Sequence, residues 1–105
     1  MSEKDIPLER AITDKVMAYL KGLAPDGWFF KIHGGIFQLA GIPDIIGVLR
    51  GRFVAMEIKR PKVGRVTVLQ AIILRKITAA GGVARVIHSV EEAQAALDEV
   101  RRNAG

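Results

Sequence analysis

The chain has 105 residues, with 16 Lys and Arg against 11 Asp and Glu, for a formal charge of +5. That length holds one domain and excludes a multi-domain machine. The absence of cysteine excludes disulfide frameworks, thiolate zinc sites and thiol nucleophiles. Half of the residues are apolar, enough for a modest core and too many for a disordered chain. The basic balance suits a polyanionic partner, most simply nucleic acid, although many soluble proteins carry a similar excess. Residues Met1–Asp5 lack the basic-then-apolar order of a signal peptide, and no apolar run approaches the roughly 18 residues that span a bilayer. The chain reads as soluble and intracellular.

The first helix is expected from Pro7 to Lys21, with Asp5 as its cap and Pro7 in the first turn, where a missing N–H costs nothing. Leu8, Ile12, Val16, Tyr19 and Leu20 recur at helical spacing and give it one apolar stripe. Gly22 stops it, and Ala24–Gly27 is a turn. Trp28–Ile32 is bulky and β-favouring and is assigned as a strand, its aromatic residues Trp28, Phe29 and Phe30 to the core rather than to a base-stacking platform. A loop then runs from His33 to Gly41. Asp44–Leu49 and Arg52–Lys59 read as two strands, and Arg50-Gly51 between them is the turn of an antiparallel hairpin. Pro61–Val66 is a basic loop. Thr67–Ala80 is a helix opened by the capping box Thr67-Val68-Leu69-Gln70 and ended by Gly81-Gly82. Val83–His88 is a fourth strand, and Ser89-Val90-Glu91-Glu92 is a second capping box opening a last helix that frays near Arg101. The order is α-β-β-β-α-β-α in one domain. The helix between the third and fourth strands favours parallel pairing there, so the sheet is mixed.

The residues that suggest chemistry are Pro43-Asp44 and Glu57-Ile58-Lys59. Glu57 and Lys59, two apart on a strand, leave the same face. The rest of that strand is apolar on both faces, as in a central strand, so a carboxylate and an ammonium at its end are costly without a purpose. Counting outward from the turn, Asp44 lies six positions before Arg50 and Glu57 six after Gly51, which sets the two carboxylates opposite each other. Two facing carboxylates repel, and a divalent cation removes the repulsion. Magnesium fits a site of hard oxygen ligands and retained waters. Such a centre suits phosphodiester hydrolysis: the metal polarises a phosphoryl oxygen and lowers the pKa of a bound water. Lys59, a poor base as an ammonium, orients that water or offsets charge developing on the phosphate. The plainer reading is a surface ion pair at strand ends.

Gly41-Ile42-Pro43-Asp44-Ile45-Ile46, Glu57-Ile58-Lys59-Arg60-Pro61 with Gly64, Gln70 on the next helix and Glu9 on the first together resemble the virus-type replication-repair nuclease (VRR-NUC) domain of the PD-(D/E)xK nuclease superfamily. The resemblance spans nearly the whole chain. It implies a restriction-endonuclease-like mixed α/β sheet and Mg2+-dependent DNA cleavage, with Mn2+ as a substitute. The substrate implied is branched DNA such as a Holliday junction, cut in repair or replication by a homodimer in the cytoplasm of a bacterium or of a phage-infected host. By position it implies Asp44 and Glu57 as metal ligands together with the Ile58 backbone carbonyl, Lys59 as the catalytic lysine and Gln70 as support. Glu9 is implied as a further acid, on the metal or on its water.

Two of these residues also have a simpler explanation. Gln70 serves the capping box without any catalytic role, and Glu9 suits the positive end of a helix dipole. The roles are not exclusive. Arg60, Lys62 and Arg65 follow the carboxylates closely and are candidates for phosphate contacts on both sides of a scissile bond, against the alternative of a solvated basic loop. His33 and His88 have no partner at metal-ligand spacing. Two rival functions stand beside the nuclease: a nucleic-acid-binding module of the same fold without cleavage, and a protein-interaction subunit.

Overall fold

The computed structural model describes residues 2–34 and 39–103, so residues 35–38 of the loop expected before Gly41 lie outside the described residues. A 3-10 turn at Glu3–Asp5 precedes α1 (Glu9–Lys21), β1 (Gly27–Lys31), β2 (Ile45–Leu49), β3 (Arg52–Ile58), α2 (Val68–Ala79), β4 (Val83–Ile87) and α3 (Val90–Asn103). The four strands form one sheet in the order β1-β2-β3-β4. The first three are antiparallel neighbours and β4 runs parallel to β3, giving the mixed sheet.

The hairpin turn sets the register. Arg50 and Gly51 both take positive φ, 50° and 84°, as a two-residue turn matched to the strand twist requires. Leu49 then pairs with Arg52 and the ladder continues to Ile45 opposite Met56. One more step sets Asp44 opposite Glu57.

Strand alternation divides the side chains between two faces. One face carries Ile45, Leu49, Val54, Met56, Ile58, Val83 and Ile87 into the main core. Ile12, Val16 and Leu20 of α1 and Ala93, Leu97 and Val100 of α3 close it. Gly47 belongs to this face because Phe29 lies across it: a Cβ there would stand 2.4 Å from the Phe29 ring. The other face is only half covered. Helix α2 lays Leu74 and Ile77 on Ala55, Ala84, Val86 and Ile46, and among the described residues nothing covers the β1 side, where Trp28 and Phe30 are exposed.

Three expectations are corrected. Helix α1 begins at Glu9 rather than Pro7, with Leu8 at its cap in extended conformation and no capping side chain. Asp5 instead accepts from the Ser2 hydroxyl at 2.9 Å, closing the 3-10 turn. The carbonyls that would start an earlier helix are taken by Arg60, whose guanidinium bonds Glu3, Ile6 and Pro7 at 3.0–3.1 Å. Of the aromatic run, Phe29 alone packs on the core, whereas Trp28 is 64% and Phe30 46% exposed on the bare face. At α3 the Ser89 hydroxyl accepts from the Glu92 N–H as a cap should, but the Glu92 carboxylate reaches the N–H and ring of His88.

Candidate active site

Asp44 sits just before β2, at the end of a loop tied to α2. Gly41 has φ of +84°, and a Cβ there would stand 2.7 Å from Leu69 and 2.8 Å from Ile73, so only glycine lets the loop lie this close to the helix. Pro43 is fully buried, and the Asp44 carbonyl accepts from the Ile32 N–H at 2.7 Å. The Asp44 carboxylate then accepts the Ile58 N–H at 2.8 Å. A strand residue directs its carbonyl to the same side as its N–H, so the Ile58 carbonyl leaves β3 towards Asp44, beyond the end of β2.

Glu57 is opposite, at the end of the central strand, and only 2% exposed. Its Oε1 accepts from Gln70 Nε2 at 2.9 Å and lies 3.8 Å from Lys59 Nζ. Its Oε2 is buried and has no hydrogen-bonding partner. Burial, then the charge of Asp44, push its carboxyl from 4.5 up to about 8. Lys59 pulls the other way, and the charge of Glu9 adds a smaller upward push. Without a cation, the pair therefore resists carrying two negative charges.

Gln70 fills both roles considered for it. Its Oε1 accepts the Thr67 N–H at 2.9 Å and its N–H donates to the Thr67 hydroxyl at 3.1 Å, completing the capping box. The same side chain spends its amide N–H on Glu57. Glu9 acts on Glu57 through its charge from the start of α1. It does not complete a ligand cluster: among the described residues no three His, Asp or Glu side chains group closely enough to hold an ion together.

The basic residues separate. Arg60 turns inward to the carbonyls of the N-terminal segment and is not free for phosphate, contrary to its assignment. Lys62 and Arg65 are exposed on the turn beyond β3. Arg65 donates to the Lys62 and Gly64 carbonyls, which holds the turn's shape. Gly64 is needed there, since a Cβ would meet the Arg60 backbone at 2.7 Å. His33 is exposed and edge-on to Phe30, at 6.5 Å between centroids, a contact that its sequence neighbours gave no means of reading.

No family model matches the chain, and comparison with curated proteins and with solved structures likewise returns no match. No helix among the described residues is long and apolar enough to cross a membrane.

Proposed function

We propose that the protein is a metal-dependent DNA endonuclease of the PD-(D/E)xK kind, similar to VRR-NUC domains, acting on phosphodiester bonds of branched DNA. The observation that carries this reading is Glu57: a buried carboxylate with one oxygen unpartnered, facing a second carboxylate, with an ammonium 3.8 Å away. A structural ion pair would satisfy both oxygens. An orphaned hard oxygen beside Asp44 and the Ile58 carbonyl fits a divalent cation such as Mg2+. Asp44, Glu57 and that carbonyl would hold it, and Glu9 would act through water. When bound, the cation polarises a phosphoryl oxygen and acidifies a water.

The remaining work falls to the chain's own side chains. Gln70 fixes the Glu57 carboxylate by its 2.9 Å hydrogen bond, so the ligand is oriented before substrate arrives. Lys59, one turn of pleat beyond Glu57 on the same face, orients the attacking water or offsets charge developing on the phosphate. Lys62 and Arg65 supply phosphate contacts beside the site.

The test is cleavage of a four-way junction and of linear duplex with and without Mg2+, for the natural chain and for Glu57→Ala. Metal-dependent cutting of the junction by the natural chain, lost in Glu57→Ala, is expected. Equal binding with no cutting by either protein would replace the nuclease by a non-catalytic binding module.

A further inference from the structure

Residues 62–69 join the two groups that meet at Glu57. At one end of this stretch Lys59 Nζ stands 3.8 Å from Glu57 Oε1, and at the other Gln70 Nε2 donates to the same oxygen at 2.9 Å. Between them Lys62, Val63, Arg65, Val66, Val68 and Leu69 are all exposed. The apolar residues Val63, Val66, Val68 and Leu69 are 36%, 36%, 79% and 44% exposed. The turn has a defined shape. The Gly64 N–H donates to the Arg60 carbonyl at 3.0 Å and the Val63 N–H to the Pro61 carbonyl at 2.7 Å. Lys62 takes a left-handed φ of 66°, costly for a residue with a Cβ, and the bonds from Arg65 Nη1 to the Lys62 and Gly64 carbonyls hold it there. Cations and apolar side chains therefore alternate along a held turn beside the carboxylates.

Part of this pattern has a structural use. Val66 precedes the Thr67 cap, the position of a hydrophobic staple, and Leu69 lies against Gly41. Val68 has no such use: it opens α2 with most of its surface in solvent. That position suits an acid facing the positive end of the helix dipole, and the first turn of α2 holds none. An acid there would repel a phosphate brought to Lys62 and Arg65, and valine does not.

We infer that the apolar side chains of this turn, Val68 foremost with Val63, are a wedge for an uncovered base face, set beside the phosphate contacts of Lys62 and Arg65. The choice of DNA as the polymer rests on the nuclease reading, and the wedge is what the turn adds to it. A continuous duplex offers phosphates, sugars and groove edges, with each base face covered by its neighbour, so exposed valines gain little there. At a branch the stack is interrupted, and apolar side chains find a partner in the uncovered base, as inserted wedges do between base steps. Continuity with the carboxylates selects this occupant over a lipid or protein surface. Both ends of the stretch bear on Glu57 Oε1, so a chain of phosphates lying along Lys62 and Arg65 also reaches the candidate active site. The consequence is a preference for DNA with an unstacked base beside the scissile phosphate over continuous duplex.

A four-way junction with 2-aminopurine at the branch tests it, in Ca2+ in place of Mg2+ so that binding is read without cutting. Emission of 2-aminopurine rises as the base leaves its stack. The rise is expected when the natural chain binds and is expected to be lost in the double variant Val63→Ser, Val68→Ser. In Mg2+ the preference in kcat/KM for junction over linear duplex is expected to fall at least about fivefold in that variant, the low end of one base-stacking contact. The slope of log K against log salt is expected to stay, because Lys62 and Arg65 are untouched. Val68→Leu is expected to keep both the emission rise and the preference. If the double variant loses the circular dichroism of the natural chain, Val68→Ser alone serves in its place. A natural chain that binds the junction with emission unchanged overturns the proposal, and so does a folded Ser variant that keeps the rise. Binding to anionic vesicles that the Ser variant loses, with no emission rise on the junction, overturns it in favour of a membrane surface. Cutting of the junction with silent emission ends the wedge and keeps the nuclease. An emission rise lost in the Ser variant, with no cutting by the natural chain in Mg2+, keeps the wedge and ends the nuclease reading.

Discussion

Gln70 donates from Nε2 to Glu57 Oε1 at 2.9 Å while its own Oε1 accepts the Thr67 N–H at the same distance, so one side chain caps α2 and steadies the buried carboxylate. The two roles come apart by substitution. Gln70→Ala removes the cap acceptor and the Glu57 donor together and is expected to cost about 1–3 kcal/mol in urea unfolding. Gln70→Glu keeps an acceptor for Thr67 but sets a third negative charge against Glu57 and Asp44. Its loss of stability is expected to be small in acid and to grow towards pH 8, more steeply than that of Gln70→Ala, which loses only the donor to the ionised Glu57. Cleavage is expected to fall at least about tenfold in both, as when a metal ligand loses its supporting hydrogen bond. Unfolding curves for the two variants at pH 5 and pH 8 check the division.

Glu57 makes stability pH-dependent in the metal-free protein. Its carboxyl keeps its proton up to about 8 when folded, against 4.5 as the ordinary value. Between those two values the folded state holds a proton that the unfolded chain has released, so stability falls as pH rises through this window. Below 4.5 both states are protonated and the penalty is absent; above about 8 it is complete. Its size is on the order of a few kcal/mol. Glu57→Gln is expected to flatten this slope and to be more stable than the natural chain at pH 8 without metal. Saturating Mg2+ is expected to raise the melting temperature of the natural chain at pH 8 and not that of Glu57→Gln. Thermal melts at pH 5 and pH 8, with Mg2+ and with chelator, give both readings.

Asp44 lies across the hairpin from Glu57 and Lys59 lies two residues beyond it, and the two are expected to fail differently. Asp44→Asn keeps an oxygen that can accept the Ile58 N–H but removes a ligand charge, so metal affinity and cleavage should fall together. Lys59→Ala removes the ammonium 3.8 Å from Glu57 and no ligand, so metal affinity should be retained while turnover drops about 100-fold or more. Calorimetric titration with Mn2+ beside single-turnover cleavage separates them. Loss of Mn2+ binding in Lys59→Ala would contradict the assignment.

The hairpin was legible in the sequence because its turn is two residues long, and counting outward from Arg50-Gly51 set Asp44 against Glu57 with no tertiary information. The capping box at Thr67–Gln70 was legible for the same reason: both are local rules. The bare sheet face was not. Three consecutive aromatic residues at 28–30 alternate sides whatever the register, and which side remains open depends on α2, a helix some 40 residues later that covers β3 and β4 and stops short of β1. The partner of Arg60 was equally hidden. Its acceptors are backbone carbonyls more than 50 residues away, and main-chain groups leave no mark on residue type.

That hidden partnership predicts that the three cations after Lys59 are not equivalent. Arg60 satisfies the carbonyls of Glu3, Ile6 and Pro7, so Arg60→Ala should loosen the N-terminal segment at a cost of about 1–3 kcal/mol. The salt dependence of DNA binding should hardly change, because that guanidinium faces protein. Lys62 and Arg65 are exposed on the turn. Lys62→Ala and Arg65→Ala should each reduce the slope of log K against log salt by about 0.9, the release of one phosphate's counterion. Arg65→Ala should also cost a little stability through its bonds to Lys62 and Gly64. Salt titrations on a fixed four-way junction, paired with urea unfolding of the same variants, check the separation. A slope reduced by Arg60→Ala and unmoved by Lys62→Ala would mean that Arg60 leaves its carbonyls when DNA binds.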